Sequence, residues 1–341
     1  MNHPSLTRYR SKPGTALAFR AELLPWLFPP SGRAAIERQV VLLTPPFTAV
    51  DWQTHRAQLA EAEILVGSWG IPVLDREILE AMPKLRVVLY GAGSVRGFVT
   101  DEFWRRDILL SSAASANAGP TAIFAEAMII LALKQTWFYL RRGVTDWAYL
   151  SDTASSGVHA ATVGIIGLSS VGRLVIKGLQ RHELRILAFD PTVTAEEATR
   201  LGVELAELPE LFERCDVVSL HAPLLPQTIG LVGADHLRRM KPHATFVNTA
   251  RGAIVREAEL VTVLKERPDL TALLDVTDPE PAPADSPLRK LPNAVLTPHI
   301  AGARHREIEL VGGLVREELD RYLAGQPLRF ALDRARVVRI A

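Results

Sequence analysis

Cysteine is almost missing from this chain: Cys215 is the only one in 341 residues. No internal disulfide can form, so a packed core must hold the fold, and a reducing, cytoplasmic setting suits it. Cys215 sits between Arg214 and Asp216 before an apolar run and reads as a buried, unreactive thiol. Net charge is also nearly absent, +1 from 39 basic and 38 acidic side chains. That leaves no global field for nucleic acid or an acidic membrane. Arg8, Arg10 and Lys12 make only a small basic patch, read as a solvated tail. Long apolar runs are missing too: Ala16 to Phe28 is broken by Arg20 and Glu22 and leads to no cleavage site, so neither a signal peptide nor a membrane span is expected. His55, His182, His236 and His305 stand singly, without metal-site spacing. Repeats and low-complexity tracts are absent. What is there, 48% hydrophobic and 23% charged residues, has the balance of a globular protein. The length suits about two domains.

The most informative stretch is Thr162 to Arg173, TVGIIGLSSVGR. An apolar strand, a glycine turn and the helical spacing of Leu174, Val175, Ile176 and Leu179 make the first half of a dinucleotide-binding βαβ unit. Gly167 allows the sharp turn, and Gly172 allows close helix–strand packing. The amides of Ser170 and Val171 at the helix start can hold a pyrophosphate. The middle glycine of the fingerprint is replaced by Ser169, whose Cβ narrows the approach and whose hydroxyl can donate to a phosphate oxygen. After the next apolar strand comes Asp190, 18 positions beyond Gly172. Its carboxylate can accept from ribose hydroxyls and repels an extra phosphate. Unit charges about 4 Å apart at an effective dielectric of about 20 interact by about 4 kcal/mol, roughly a thousandfold in affinity. With Pro191 next and no cation near, NAD is the expected cofactor.

Upstream, apolar runs at Ala16–Phe19, Val40–Leu43, Glu63–Val66, Leu85–Tyr90 and Ile108–Ser111 alternate with helical stretches at Trp52–Glu61, Asp75–Met82 and Thr100–Arg106. Asp75 is a plausible N-cap. This alternation predicts a parallel α/β domain with ligand-facing loops at Gly67–Gly70 and Tyr90–Ser94. A long helix is predicted over Ala122–Leu140, followed by a connector over 144–161. From Thr162, six strands are expected: Val163–Ile166, Ile186–Phe189, Val217–Leu220, Thr245–Asn248, Leu270–Leu274 and Ala294–Leu296. A helix over Arg304–Leu323 and a short tail over Arg329–Arg339 follow.

Three segments close candidate strands of the second half: Asn248 to Gly252 with Arg251, Asp275 to Pro281 with Glu280, and Thr297 to Gly302 with His299. In an open α/β sheet such ends line one crevice. A guanidinium can bind a carboxylate bidentately and polarise a ketone. An imidazolium can deliver a proton, and a carboxylate can orient it. Those are the needs of hydride transfer to a 2-keto acid.

On these segments and the glycine turn, the chain resembles the D-isomer-specific 2-hydroxyacid dehydrogenases from about Leu85 to Gly302. The resemblance implies a Rossmann-type doubly wound dinucleotide domain (120–303) inserted into a flavodoxin-like substrate domain (1–119 and 304–341). It assigns Arg251 to substrate binding, His299 to acid/base catalysis and Glu280 as its partner. Asp190 becomes the ribose-binding acid and Asp275 the acid facing the nicotinamide carboxamide. His221, Ala222 and Pro223 border the cofactor, as do Thr249, Ala250 and Ala301. In the first domain, Trp69 walls the pocket, and the backbone at Ala92, Gly93 and Ser94 holds the substrate carboxylate. The family's frequent Asp-Asn pair after that turn is replaced by Val95-Arg96, and Arg96 could add a second cation. Ala116 to Pro120 likewise replaces the more usual loop before the long helix. A homodimer through the dinucleotide domain is expected, with a small 2-keto or 2-hydroxy acid as partner, no metal, no nucleic acid and no membrane.

Two alternatives use the same fold. Formate or phosphite dehydrogenases are one; the formate enzymes pair the histidine with glutamine, against which Glu280 speaks. An NADH-responsive corepressor-like binding protein is the other; the complete set of Arg251, Glu280 and His299 weighs against it.

Overall fold

A computed structural model describes residues 12–143, 147 and 157–339. Arg8 and Arg10 lie outside the described residues, as does most of the connector over 144–161. The chain divides into two compact units, Met1–Asn117 with Ala303–Ala341, and Ala118–Gly302.

In the first unit, β1 (Gly14–Ala18), β2 (Val41–Leu42), β3 (Ile64–Gly67), β4 (Val87–Tyr90) and β5 (Leu109–Ser112) form one parallel sheet in the order β2-β1-β3-β4-β5. That is the flavodoxin-like order. β3 and β4 are buried along their whole length, as sheets covered on both faces require. Asp75 caps the helix Arg76–Ala81, accepting the Ile78 amide at 3.2 Å. The stretch from Trp52 is a 3₁₀ turn (Trp52–His55) and a single α turn (Arg56–Leu59) instead of one helix.

The second unit holds β6 (Thr162–Ile166), β7 (Arg185–Phe189), β8 (Glu204–Leu205), β9 (Val217–Leu220), β10 (Thr245–Asn248), β11 (Thr271–Leu274) and β12 (Ala294–Leu296). Their order, β12-β11-β10-β9-β6-β7-β8, is a doubly wound sheet that reverses direction between β6 and β9. The seventh strand, β8, corrects the expectation of six; it is two exposed residues on the edge and carries no apolar run to announce it.

The long helix also differs from expectation. It starts at Ala114, so Ala116 to Pro120 is helix instead of loop, and it ends at Leu133. Gln135 adopts a left-handed φ of +56° and a separate helix runs over Thr136–Arg142. The Gln135 side chain donates to the His243 carbonyl at 3.0 Å, which secures the break. By length and composition Ala114–Leu133 could cross a membrane, contrary to the sequence reading; half of its apolar window is buried within the fold, with Ala125, Ile129 and Leu133 in the core.

The C-terminal segment is docked, not a free tail. The helix Ile308–Leu323 carries Glu318, fully buried, whose carboxylate accepts the amides of Arg329 at 2.9 Å and Phe330 at 3.1 Å. Ala331 then bridges Ser111 on β5, and a helix spans Arg334–Arg339.

Candidate active site

The glycine turn after β6 is sterically determined. Gly167 has φ +92°, and a Cβ there would stand 2.5 Å from the Ala222 backbone. A Cβ on Gly172 would lie 2.2 Å from the Gly167 carbonyl oxygen. Both positions exclude side chains. Ser169 caps the helix Ser170–Leu179, accepting the Gly172 amide at 3.3 Å, and donates to the His221 carbonyl at 2.8 Å. Its proton is therefore used within the protein, a correction to the reading that it donates to phosphate. The amides of Ser170 and Val171 meet no described acceptor. Asp190 is oriented by three donors: Leu168 N at 2.7 Å on Oδ2, and Thr192 N and Oγ1 at 2.9 and 2.7 Å on Oδ1. Pro191 beside it is exposed.

The His221 ring is buried; Nε2 lies 2.9 Å from Ser219 Oγ, and Nδ1 has no partner. Burial pushes its pKa down to about 3, so the ring is neutral. Ala222 is buried beneath Gly167, and the Pro223 carbonyl accepts the Thr228 hydroxyl at 2.6 Å. Cys215 is buried as expected, and desolvation raises its thiol to about 12.

Beyond β10, Asn248 closes a turn: Oδ1 accepts the Ala250 amide at 2.9 Å, and Nδ2 donates to the Arg251 carbonyl at 3.1 Å. This fixes Thr249, Ala250 and Arg251 past the strand end. Arg251 Nη1 donates to the Ala250 carbonyl at 2.6 Å, and Thr249 keeps a buried, unpartnered hydroxyl. A Cβ on Gly252 would stand 2.1 Å from the Thr277 carbonyl, so the segment after β10 touches the one after β11. Glu280, in that second segment, hydrogen-bonds through Oε1 to His299 Nδ1. The three predicted segments therefore meet along adjacent strand ends.

Asp275 builds the turn that carries His299. It is 3% exposed and accepts from Thr297 Oγ1 at 2.6 Å, Ile300 N at 2.8 Å and Ala301 N at 2.9 Å. The His299 amide donates to the Asp275 carbonyl at 3.0 Å, and His299 itself has φ +53°. A carboxylate offers about four acceptor sites, so the three contacts leave about one for a ligand. Sequence reasoning missed Thr297 and Asn248; Asn two residues before a fixed backbone amide is the signature of an Asx turn.

In the first unit, Trp69 is half-buried against two apolar clusters, and its carbonyl accepts the Arg20 amide at 3.0 Å. Ala92 and Val95 are buried, Gly93 and Ser94 partly exposed. Arg96 Nε donates to the Val337 carbonyl at 3.2 Å, so part of that guanidinium is engaged within the fold.

The second unit fits a dinucleotide on its own observations: two glycines with no room for side chains, unused helix-start amides, an ordered Asp190 and the buried, unpartnered hydroxyl of Thr249. A doubly wound domain with an imidazole–carboxylate pair at its strand ends defines a dinucleotide-dependent oxidoreductase. Residues 127–301 match the family model for the D-isomer specific 2-hydroxyacid dehydrogenase, NAD binding domain. Over 273 residues the chain is 35% identical to the glyoxylate reductase of Korarchaeum cryptofilum, covering 79% of this chain and 82% of that one. It is 34% identical over 262 residues to the D-3-phosphoglycerate dehydrogenase of Archaeoglobus fulgidus, covering 76% of this chain but 49% of that protein, about half its length. Among solved structures, the TT0316 protein of Thermus thermophilus superposes with a TM-score of 0.74 at 27% identity, over 94% of this chain and all of its own. The chain belongs to the D-isomer-specific 2-hydroxyacid dehydrogenase family, and its cofactor is NAD.

Proposed function

We propose that this enzyme interconverts a small 2-keto acid and the (D)-2-hydroxy acid, with His299 as the acid/base. The observation that carries this is the Glu280–His299 hydrogen bond on a turn built by Asp275. Because Glu280 engages Nδ1, Nε2 is the ring nitrogen left to exchange a proton with substrate. In reduction, His299 gives that proton to the ketone oxygen as it becomes a hydroxyl; in oxidation it takes it back. Glu280 holds the ring in its tautomer and orientation. Arg251 pairs with the substrate carboxylate and polarises the ketone. The chemistry the cofactor would supply when bound is a hydride from NADH in reduction, or a hydride acceptor as NAD⁺ in oxidation, and the residues that would hold it are Gly167, Ser169, Ser170, Val171, Gly172, Asp190, Pro191, His221, Ala222, Pro223, Thr249, Ala250, Asp275 and Ala301. In the first unit, Ala92, Gly93 and Ser94 hold the substrate carboxylate and Trp69 contacts the substrate.

The similarity to a glyoxylate reductase makes glyoxylate the first substrate to try. NADH oxidation followed at 340 nm (about the reduced nicotinamide band) with glyoxylate, hydroxypyruvate and longer 2-keto acids tests the reading. Turnover with one of them is expected, giving the (D) product on chiral analysis. Intact NADH binding without turnover of any would overturn it.

The same reading includes a homodimer through the NAD-binding unit. Exposed Ile123, Leu131 and Leu140 on its helices support it, and light scattering tests it. It also includes a cytoplasmic location, supported by the lone cysteine; fractionation of the native host tests that.

A further inference from the structure

Three consecutive carbonyls after β4 point into the protein, and two buried serines hold them. Ser68 Oγ donates to the Gly91 carbonyl at 2.5 Å. Ser112 Oγ lies 3.0 Å from the Ala92 carbonyl and 2.7 Å from that of Gly93, and accepts the Ala114 amide at 3.2 Å. Ser68 is 0% exposed and Ser112 is 4% exposed. They stand at the ends of β3 and β5, the strands that flank β4, so the sheet itself sets their spacing.

A trans peptide fixes the consequence. Its C=O and N–H point in opposite directions. Turning the Gly91, Ala92 and Gly93 carbonyls inward turns the Ala92, Gly93 and Ser94 amides the other way. None of those three amides donates to a described protein acceptor. Gly93 adds an independent observation. A Cβ there would meet nothing within 4 Å, and its φ is not in the left-handed region. The fold has no need of glycine at this position, whereas a ligand closing on the backbone does.

We propose that Ser68 and Ser112 are positioning residues that present the Ala92, Gly93 and Ser94 amides as a three-donor cradle for the substrate carboxylate. This rests on the proposed function, and it adds the residues that make the cradle. A buried hydroxyl cannot be replaced by water from outside, so removing one lets the loop's peptide planes rotate.

The test is steady-state kinetics with glyoxylate, or the best keto acid found, on Ser112→Ala, Ser68→Ala and Ser112→Thr. Each alanine variant is expected to raise the keto-acid KM about tenfold, with kcat changing less than about threefold and the NADH KM unchanged, because a carboxylate contact is made equally in ground and transition states. Ser112→Thr keeps the hydroxyl and should restore most of the loss. Gly93→Val, placed in open space, should keep the wild-type melting temperature yet raise the same KM. Unchanged keto-acid KM in the alanine variants, or equal losses in kcat and both KM values, would overturn the proposal. Should wild type turn over no keto acid, the proposed function has failed separately. Calorimetry with oxamate then decides the cradle: binding by wild type that Gly93→Val and Ser112→Ala lose supports it, and binding that they retain overturns it.

Discussion

Thr297 donates its hydroxyl to Asp275 Oδ1 at 2.6 Å, and so ties the start of the histidine turn to a buried carboxylate. The Ile300 and Ala301 amides complete the grip on the same side chain. Asp275→Asn keeps the shape but turns an NH₂ group toward at least one of these donors. Hydrogen bonds to a charged group contribute about 1.5–3 kcal/mol each. Urea denaturation of Asp275→Asn should show a loss of about 2 kcal/mol or more, with a larger fall in turnover than in NADH affinity. Wild-type stability would show that the carboxylate does not hold the turn.

His299→Ala removes the proton donor and should lower kcat about 10²–10⁴-fold, while fluorescence titration shows NADH binding within a few-fold of wild type. Glu280→Gln keeps a hydrogen-bonding partner for Nδ1 and should cost less than His299→Ala.

Asp190 is aligned by Leu168 and Thr192 and repels a ribose phosphate. Wild type should prefer NADH to NADPH by about a thousandfold in kcat/KM, the scale of one unscreened like-charge contact. Asp190→Ser should narrow that ratio mainly by relieving the repulsion of NADPH, with a smaller loss for NADH as the ribose hydroxyls lose their acceptor. A wild-type ratio near unity would refute the assignment.

His221 gives a pH prediction for stability. Its folded pKa, about 3, lies below its ordinary value of 6.5 because burial disfavours the charged ring. The unfolded chain therefore binds a proton that the folded chain refuses between those values, so stability is full above the ordinary value and falls as pH drops toward the folded one. Urea midpoints should decline from pH 7 to pH 4 (about that window), and His221→Asn should flatten the decline. The ring resonances of folded His221 should not titrate over this range.

Cys215 should be silent toward thiol reagents in the native enzyme, since burial raises its pKa to about 12, and should react fully once denaturant is added. Rapid native labelling would contradict the burial.

The sequence displays these features unequally, for physical reasons. β6, β9, β10 and β11 are short, largely apolar runs because central parallel strands are covered on both faces, and Gly167 and Gly172 are visible because no other residue fits them. Arg251, Glu280 and His299 could be read because each closes such a strand. β8 pairs only through Leu187 and Ala188 and is exposed, so no apolar pattern marks it. The break at Gln135 depends on a carbonyl 108 positions away, at His243, which local periodicity cannot register. Ser68 and Ser112 look like any loop serine until the sheet brings them to either side of β4.

Hydroxyls hold the loop at Gly91–Gly93, and hydroxyls do not titrate in the range where enzymes work. Acid or alkali therefore has no handle on the geometry of that segment. Capture of a keto acid should keep one affinity across neutral pH, and whatever bell the rate traces must arise from the unit that bears the imidazole.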